Sequence, residues 1–98
     1  DGVLDGLVQQ WAEKDFDAAL AWTNSRPAGV QREELLQHLV FVRASRGAPA
    51  EAARLADASF DDHANKREAI AIVAQVWERS DPRAASDWLE SVDASLRP

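Results

Sequence analysis

Two histidines are the residues of this chain best suited to acid–base or metal chemistry. His63 follows Asp61 and Asp62, so imidazole and carboxylate donors of the kind that hold a divalent metal stand side by side. Three adjacent loop residues rarely converge on one ion, and no second ligand set accompanies them. The expectation is a solvated loop without a metal. His38 lies between the apolar pairs Leu35-Leu36 and Leu39-Val40, which predicts a partly buried structural imidazole. Nucleophilic catalysis needs Ser, Cys or Thr beside a base. Cys is absent, and no Gly-x-Ser-x-Gly elbow occurs. Gly2 and Gly6 stand four apart with no Lys-Ser or Lys-Thr after them, so there is no phosphate loop. Glu33 and Glu34 fall in a first helical turn, and Asp15, Asp17 and Asp81 at helix starts, where acids favour the macrodipole. Together these residues predict a chain that is not an enzyme and takes no cofactor.

What remains is binding chemistry. Arg32, Arg43, Arg46, Arg54 and Arg67 gather around the middle of the chain, while Asp and Glu dominate the ends. Arg43, Arg46 and Arg54 are the candidate peptide-binding residues: on one shared face their guanidinium forks would dock a carboxylate-rich peptide. The competing expectation is a solvated face with helical pairs such as Glu51–Arg54. The nine Arg and two Lys are scattered among seventeen acids, and the net charge is −6. Nucleic acid, whose affinity comes from clustered cations, is therefore not an expected partner. No run of about 18 apolar residues occurs, so no membrane insertion is expected. Lack of Cys excludes disulfides and thiolate metal sites and fits either redox compartment. The chain opens on Asp1 and has no Met, which reads as a piece of a longer protein. Its Arg-over-Lys bias and abundant Ala point to a GC-rich bacterial genome.

The elements that carry these residues are helices. Apolar residues recur with helical spacing almost throughout, as in Val3-Leu4-Leu7-Val8-Trp11 and Ile70-Val73-Val76-Trp77, and no useful stretch alternates with period two. Asp81-Pro82 reads as an N-cap followed by Pro at the first helical position, and Asp15-Phe16 repeats it. Pro49 plays the same part after Gly47-Ala48, and Asn65 with Glu68 resembles a capping box. Six helices are predicted, at about 2–14, 16–26, 31–45, 49–58, 65–79 and 82–92.

Their order repeats. Trp22, Leu55 and Trp88 stand 33 apart, each three residues after an Ala. Trp11 and Trp77 each lie eleven residues before one of those Trp. A period of this size marks an array of helical hairpins. It reads as firm for the second helix of each pair and loose for the first. The Ala pairs allow close helix approach, and the Trp are expected in the core, those of the second helices filling space between neighbouring units. The residues Trp77, Asp81, Pro82, Ala84, Ala85 and Trp88 carry a resemblance to tetratricopeptide-like α-helical hairpin repeats, in the bacterial form W-x-x-x-D-P-x-A-A-x-x-W. Trp11, Asp15, Ala18, Ala19 and Trp22 match it with Phe16 in place of Pro.

The sequence thus predicts an all-α chain of three antiparallel helical hairpins stacked as a short right-handed α-solenoid. It forms a single domain over 1–98, with units of about 1–30, 31–63 and 64–98. The resemblance implies a scaffold that binds a protein or peptide on its concave face and brings no catalytic residues. The alternative is a structural spacer attached to a catalytic or membrane domain outside this stretch. Arrays need polar capping units. The last hairpin ends in Trp88, Leu89 and Val92 without a further helix, so self-association through the terminal hairpins is also expected.

Overall fold

Asp15 and Asp81 show how the chain turns its corners. Each backbone N–H donates to the carbonyl of the Trp four residues before it, Asp15 to Trp11 at 2.7 Å and Asp81 to Trp77 at 2.8 Å. Each side chain then accepts the N–H of the third residue onward, Ala18 and Ala84, both at 3.1 Å. Their backbones match, with φ/ψ of −150/86 and −153/85 degrees. One residue therefore ends a helix and caps the next, which is the physical content of the Trp-x-x-x-Asp spacing. Such a cap contributes about 0.5–2 kcal/mol.

The computed structural model describes residues 2–97. Among them it contains six α-helices and no strand: α1 Gly2–Lys14, α2 Phe16–Asn24, α3 Val30–Ser45, α4 Pro49–Ser59, α5 His63–Ser80 and α6 Pro82–Ser91. A 3-10 turn at Ala94–Leu96 follows. The side chain of Leu4, placed in the first apolar stripe, lies outside the described residues.

The turn between α3 and α4 has different chemistry. Gly47 adopts φ +88°, and the N–H groups of Gly47 and Ala48 donate to Ala44 and Arg43 at 3.3 and 3.2 Å. This is a Schellman closure, for which a residue without Cβ is suited. Pro49 then takes the first helical position of α4 without a side-chain cap before it. The start of α5 differs from expectation. Asp62, and not Asn65, caps it, accepting the Asn65 N–H at 3.0 Å. With that correction α3 and α5 begin at 30 and 63, the same 33-residue step that separates the starts of α2, α4 and α6 at 16, 49 and 82. The period is as firm for these first helices as for the second ones.

The core centres on α3, whose Leu35, Leu36, Leu39 and Val40 are fully buried. Around it lie Val8 of α1, Ala19 of α2, Ala52 and Ala56 of α4, and Ile70 and Val73 of α5. α1, α3 and α5 pack side by side. α2 rests on α1 and α3, α4 on α3 and α5, and α6 on α5. No Cα of α4 comes within 8 Å of α2 or α6.

The tryptophans meet the sequence expectation in part: Trp22, Trp77 and Trp88 are partly buried and pack against the core. They pair within hairpins, Trp11 with Trp22 at 6.0 Å between ring centroids and Trp77 with Trp88 at 5.7 Å. Trp11 remains 38% exposed, and the other three are partly buried. The buried core itself is made of Leu, Val, Ala and Ile, with Phe60 beside them. At the far end Arg97 folds back, its guanidinium donating to the carbonyls of Leu89, Val92 and Glu90 at 3.0, 3.1 and 2.9 Å. These carbonyls close the end of α6, where a helix runs out of intrahelical donors; that of Leu89 also accepts the Val92 N–H at 3.1 Å.

Candidate functional site

The three candidate arginines do not share a surface. Arg43 and Arg46, in the last turn and C-cap of α3, border a small cleft with Ala12, Glu13, Phe16 and Val42. Arg43 crosses from α2 to α4. Its Nε lies 3.2 Å from Glu51, its Nη2 3.7 Å from Asp17, and its guanidinium carbon 4.0 Å from the centre of the Phe16 ring. Arg46 reaches Glu13 of α1 at 3.4 Å. The expected Glu51–Arg54 pair does not form, because the Glu51 carboxylate turns to Arg43. Arg54 lies on the other flank of α4 and, among the described residues, has no ion pair.

The Asp61-Asp62-His63 cluster is taken up by structure. Asp61 pairs with Arg32 at 2.9 Å, Asp62 caps α5, and the His63 Nε2 lies 3.2 Å from the carbonyl of Ser95, so that nitrogen carries the proton. Among the described residues no group of three His, Cys, Asp or Glu could hold a metal.

A residue that the sequence reading assigned to the helix macrodipole has a larger role. Glu33 is only 4% exposed. Its carboxylate accepts the backbone N–H groups of Asp61 and Asp62 at 3.1 and 3.3 Å and the Asn65 amide at 2.8 Å. It therefore ties the start of α3 to the α4–α5 loop. Its signal in the sequence was register: Glu33 precedes Leu36 and Val40 by three and seven residues, on the core stripe. Gln37, one turn on, donates to the Asn65 carbonyl at 2.7 Å, while its own buried Oε1 has no protein partner.

Two further clefts of more than 500 Å³ open among the described residues. One of about 560 Å³ runs along α3 and α5, bounded by Val30, Glu34, His38 and Phe41 on one side and Glu68 and Ile72 on the other. Phe41 is 46% exposed there. The second, of about 620 Å³, occupies the gap between α4 and α6. Its floor is Ile70 and Trp77 of α5, its walls Ala53 and Arg54 of α4 and Trp88 of α6. Asp93 stands at its edge. The Ser95 backbone N–H, then the Ser95 hydroxyl, hold its carboxyl below the usual carboxylate value, and the charges of His63 and Arg97 add to this.

No helix among the described residues is long and apolar enough to cross a membrane. Comparison with protein-family models, with curated proteins and with solved structures finds no match to this chain.

Proposed function

We propose that this chain is a non-catalytic interaction module, a short right-handed stack of three helical hairpins of the tetratricopeptide-like kind. In this reading α3 and α5 form its peptide-binding wall. Equal 33-residue steps between helix starts support the stack, as does the side-by-side packing of α1, α3 and α5 with α2, α4 and α6 apart from one another. So does the outer face of α1. Val3 and Leu7 are 73% and 59% exposed, whereas their counterparts 33 residues on, Leu36 and Val40, are fully buried. That is the face an array shows at an end, and self-association falls to it.

The observation that carries the binding reading is the solvent-facing stripe of α3. Phe41 and Val30 stand exposed beside Glu34, with Glu68 and Ile72 opposite. A spacer gains nothing from an aromatic ring in water beside two acids. A basic segment with apolar side chains matches both features, through burial of the apolar groups and attraction to the carboxylates. Glu34 and Glu68 would repel phosphate, in keeping with the acidic balance of the chain.

Selection from a displayed library of random peptides tests this. The wild type is expected to enrich sequences that combine Lys or Arg with aliphatic or aromatic residues, and the Phe41→Asp variant to lose that enrichment. Failure of the wild type to enrich any sequence would overturn the reading in favour of the spacer.

A further inference from the structure

We propose that the cleft between α4 and α6 is a separate binding site, and that it takes the carboxyl terminus of a polypeptide ending in an apolar residue. The charges of the cleft lead there. Of its two cations, Lys66 is engaged by Asp57 at 3.3 Å, and Arg54 has no ion pair among the described residues. Of its two acids, Asp57 is thereby answered, and Asp93 is held by the Ser95 N–H and hydroxyl at 2.9 and 2.8 Å. Among the described residues Arg54 is the one cation of the cleft without an ion pair, and its planar fork suits a carboxylate.

Much of the remaining cleft surface is apolar. Arg54 adjoins Ala53 and stands one turn from Ala50, with Ile70, Trp77, Trp88 and Leu96 completing the cleft. Its volume of about 620 Å³ falls in the range of roughly 300–1,000 Å³ usual for small-ligand sites. A terminal residue carries its carboxylate and its side chain on one Cα, so both reach their partners together. An internal Asp or Glu spends its side chain on the charge and must bring the apolar group from a neighbour. The site does not overlap the wall of α3 and α5, so it stands or falls independently of the function proposed above.

The probe is an acetylated Ala-Ser-Gly-Ala-Leu pentapeptide, prepared with a free carboxylate and as the carboxamide. The readout is the indole N–H resonance of each Trp in ¹⁵N-labelled protein. The carboxylate peptide should shift Trp77 and Trp88 and leave Trp11 and Trp22 in place. The carboxamide, and the Arg54→Gln variant with the free acid, should each bind about tenfold or more weakly, as expected for loss of a charge-assisted bond. Arg46→Gln should bind as the wild type does. Equal affinity for acid and amide, a response confined to Trp11 and Trp22, or no shift at millimolar peptide would each overturn the proposal.

Discussion

The two flanks of α4 differ in what crosses them. Toward α2, Arg43 spans the gap, touching Phe16 and Asp17 on one side and Glu51 on the other. Toward α6, among the described residues, no ion pair spans it. Shifted by the 33-residue period, those four positions are Pro49, Ala50, Val76 and Ala84, none of which carries a charge. The helical frame is the same on both flanks, since α2, α4 and α6 start at equal intervals. Equal spacing of the helix starts thus goes with gaps between α2, α4 and α6. Which cleft is laced shut and which stays open depends on a few side chains that the repeat leaves free to vary.

The largest expected effect breaks the anchor that holds the far end of α4 whatever happens on its flanks. Glu33→Ala strands the N–H groups of Asp61 and Asp62 and the Asn65 amide. Bonds to a charged group contribute about 1.5–3 kcal/mol each, and water can reach part of this loop, so a loss of about 2–3 kcal/mol is expected. Chemical denaturation measures it. A loss under about 0.5 kcal/mol, the usual range for a plain surface change, would show that the loop does not depend on Glu33.

This anchor also marks the boundary of what the sequence makes legible. Helix identity, the Asp15 and Asp81 caps and the equal starts of the second helices follow from local chemistry and were readable. The start of α5 was misplaced by two residues, because Asn65 with Glu68 imitates a capping box that Asp62 pre-empts. The tryptophans were legible as apolar and repeated. Their pairing within hairpins was not, since it depends on the rotation of one helix against the next. Arg43 and Arg54 looked equivalent for the same reason. They lie eleven residues apart in sequence, on two different helices, and only the turn at Gly47 decides that they face opposite flanks.

Removing each arginine in turn sharpens the contrast between the flanks. Arg43→Met keeps most of the aliphatic stem and removes two ion pairs and the contact over Phe16. Asp17 is largely solvated and Glu51 half so, which leaves those pairs little individual weight. Together with the cation–π contact the expected cost is about 1 kcal/mol. Arg54→Met should stay within about 0.5 kcal/mol, because no partner is lost. Thermal melts of the two variants compare them. Equal losses would mean that Arg43 does not brace its flank.

The smallest expected effect concerns Asp93, at the edge of the open cleft. Its carboxyl sits below the ordinary value of 3.8 in the folded chain, chiefly because the Ser95 backbone N–H donates to the ionised form. A group whose folded pKa is depressed stabilises the fold above its unfolded value and loses that contribution as pH falls through the folded one. Asp93→Asn keeps one acceptor oxygen but removes the charge. Its stability deficit relative to wild type should therefore be constant at neutral pH, begin to shrink as pH falls past 3.8, and close below the folded pKa. The other acids titrate in both proteins, so their contributions largely cancel in the difference. Denaturation at a series of pH values reads this out. A deficit that grows on acidification would reverse the sign and show that the Ser95 donors do not favour the carboxylate. A vanishing deficit at every pH would show that the turn holding this edge of the cleft is set by Arg97 on the carbonyls of α6 instead.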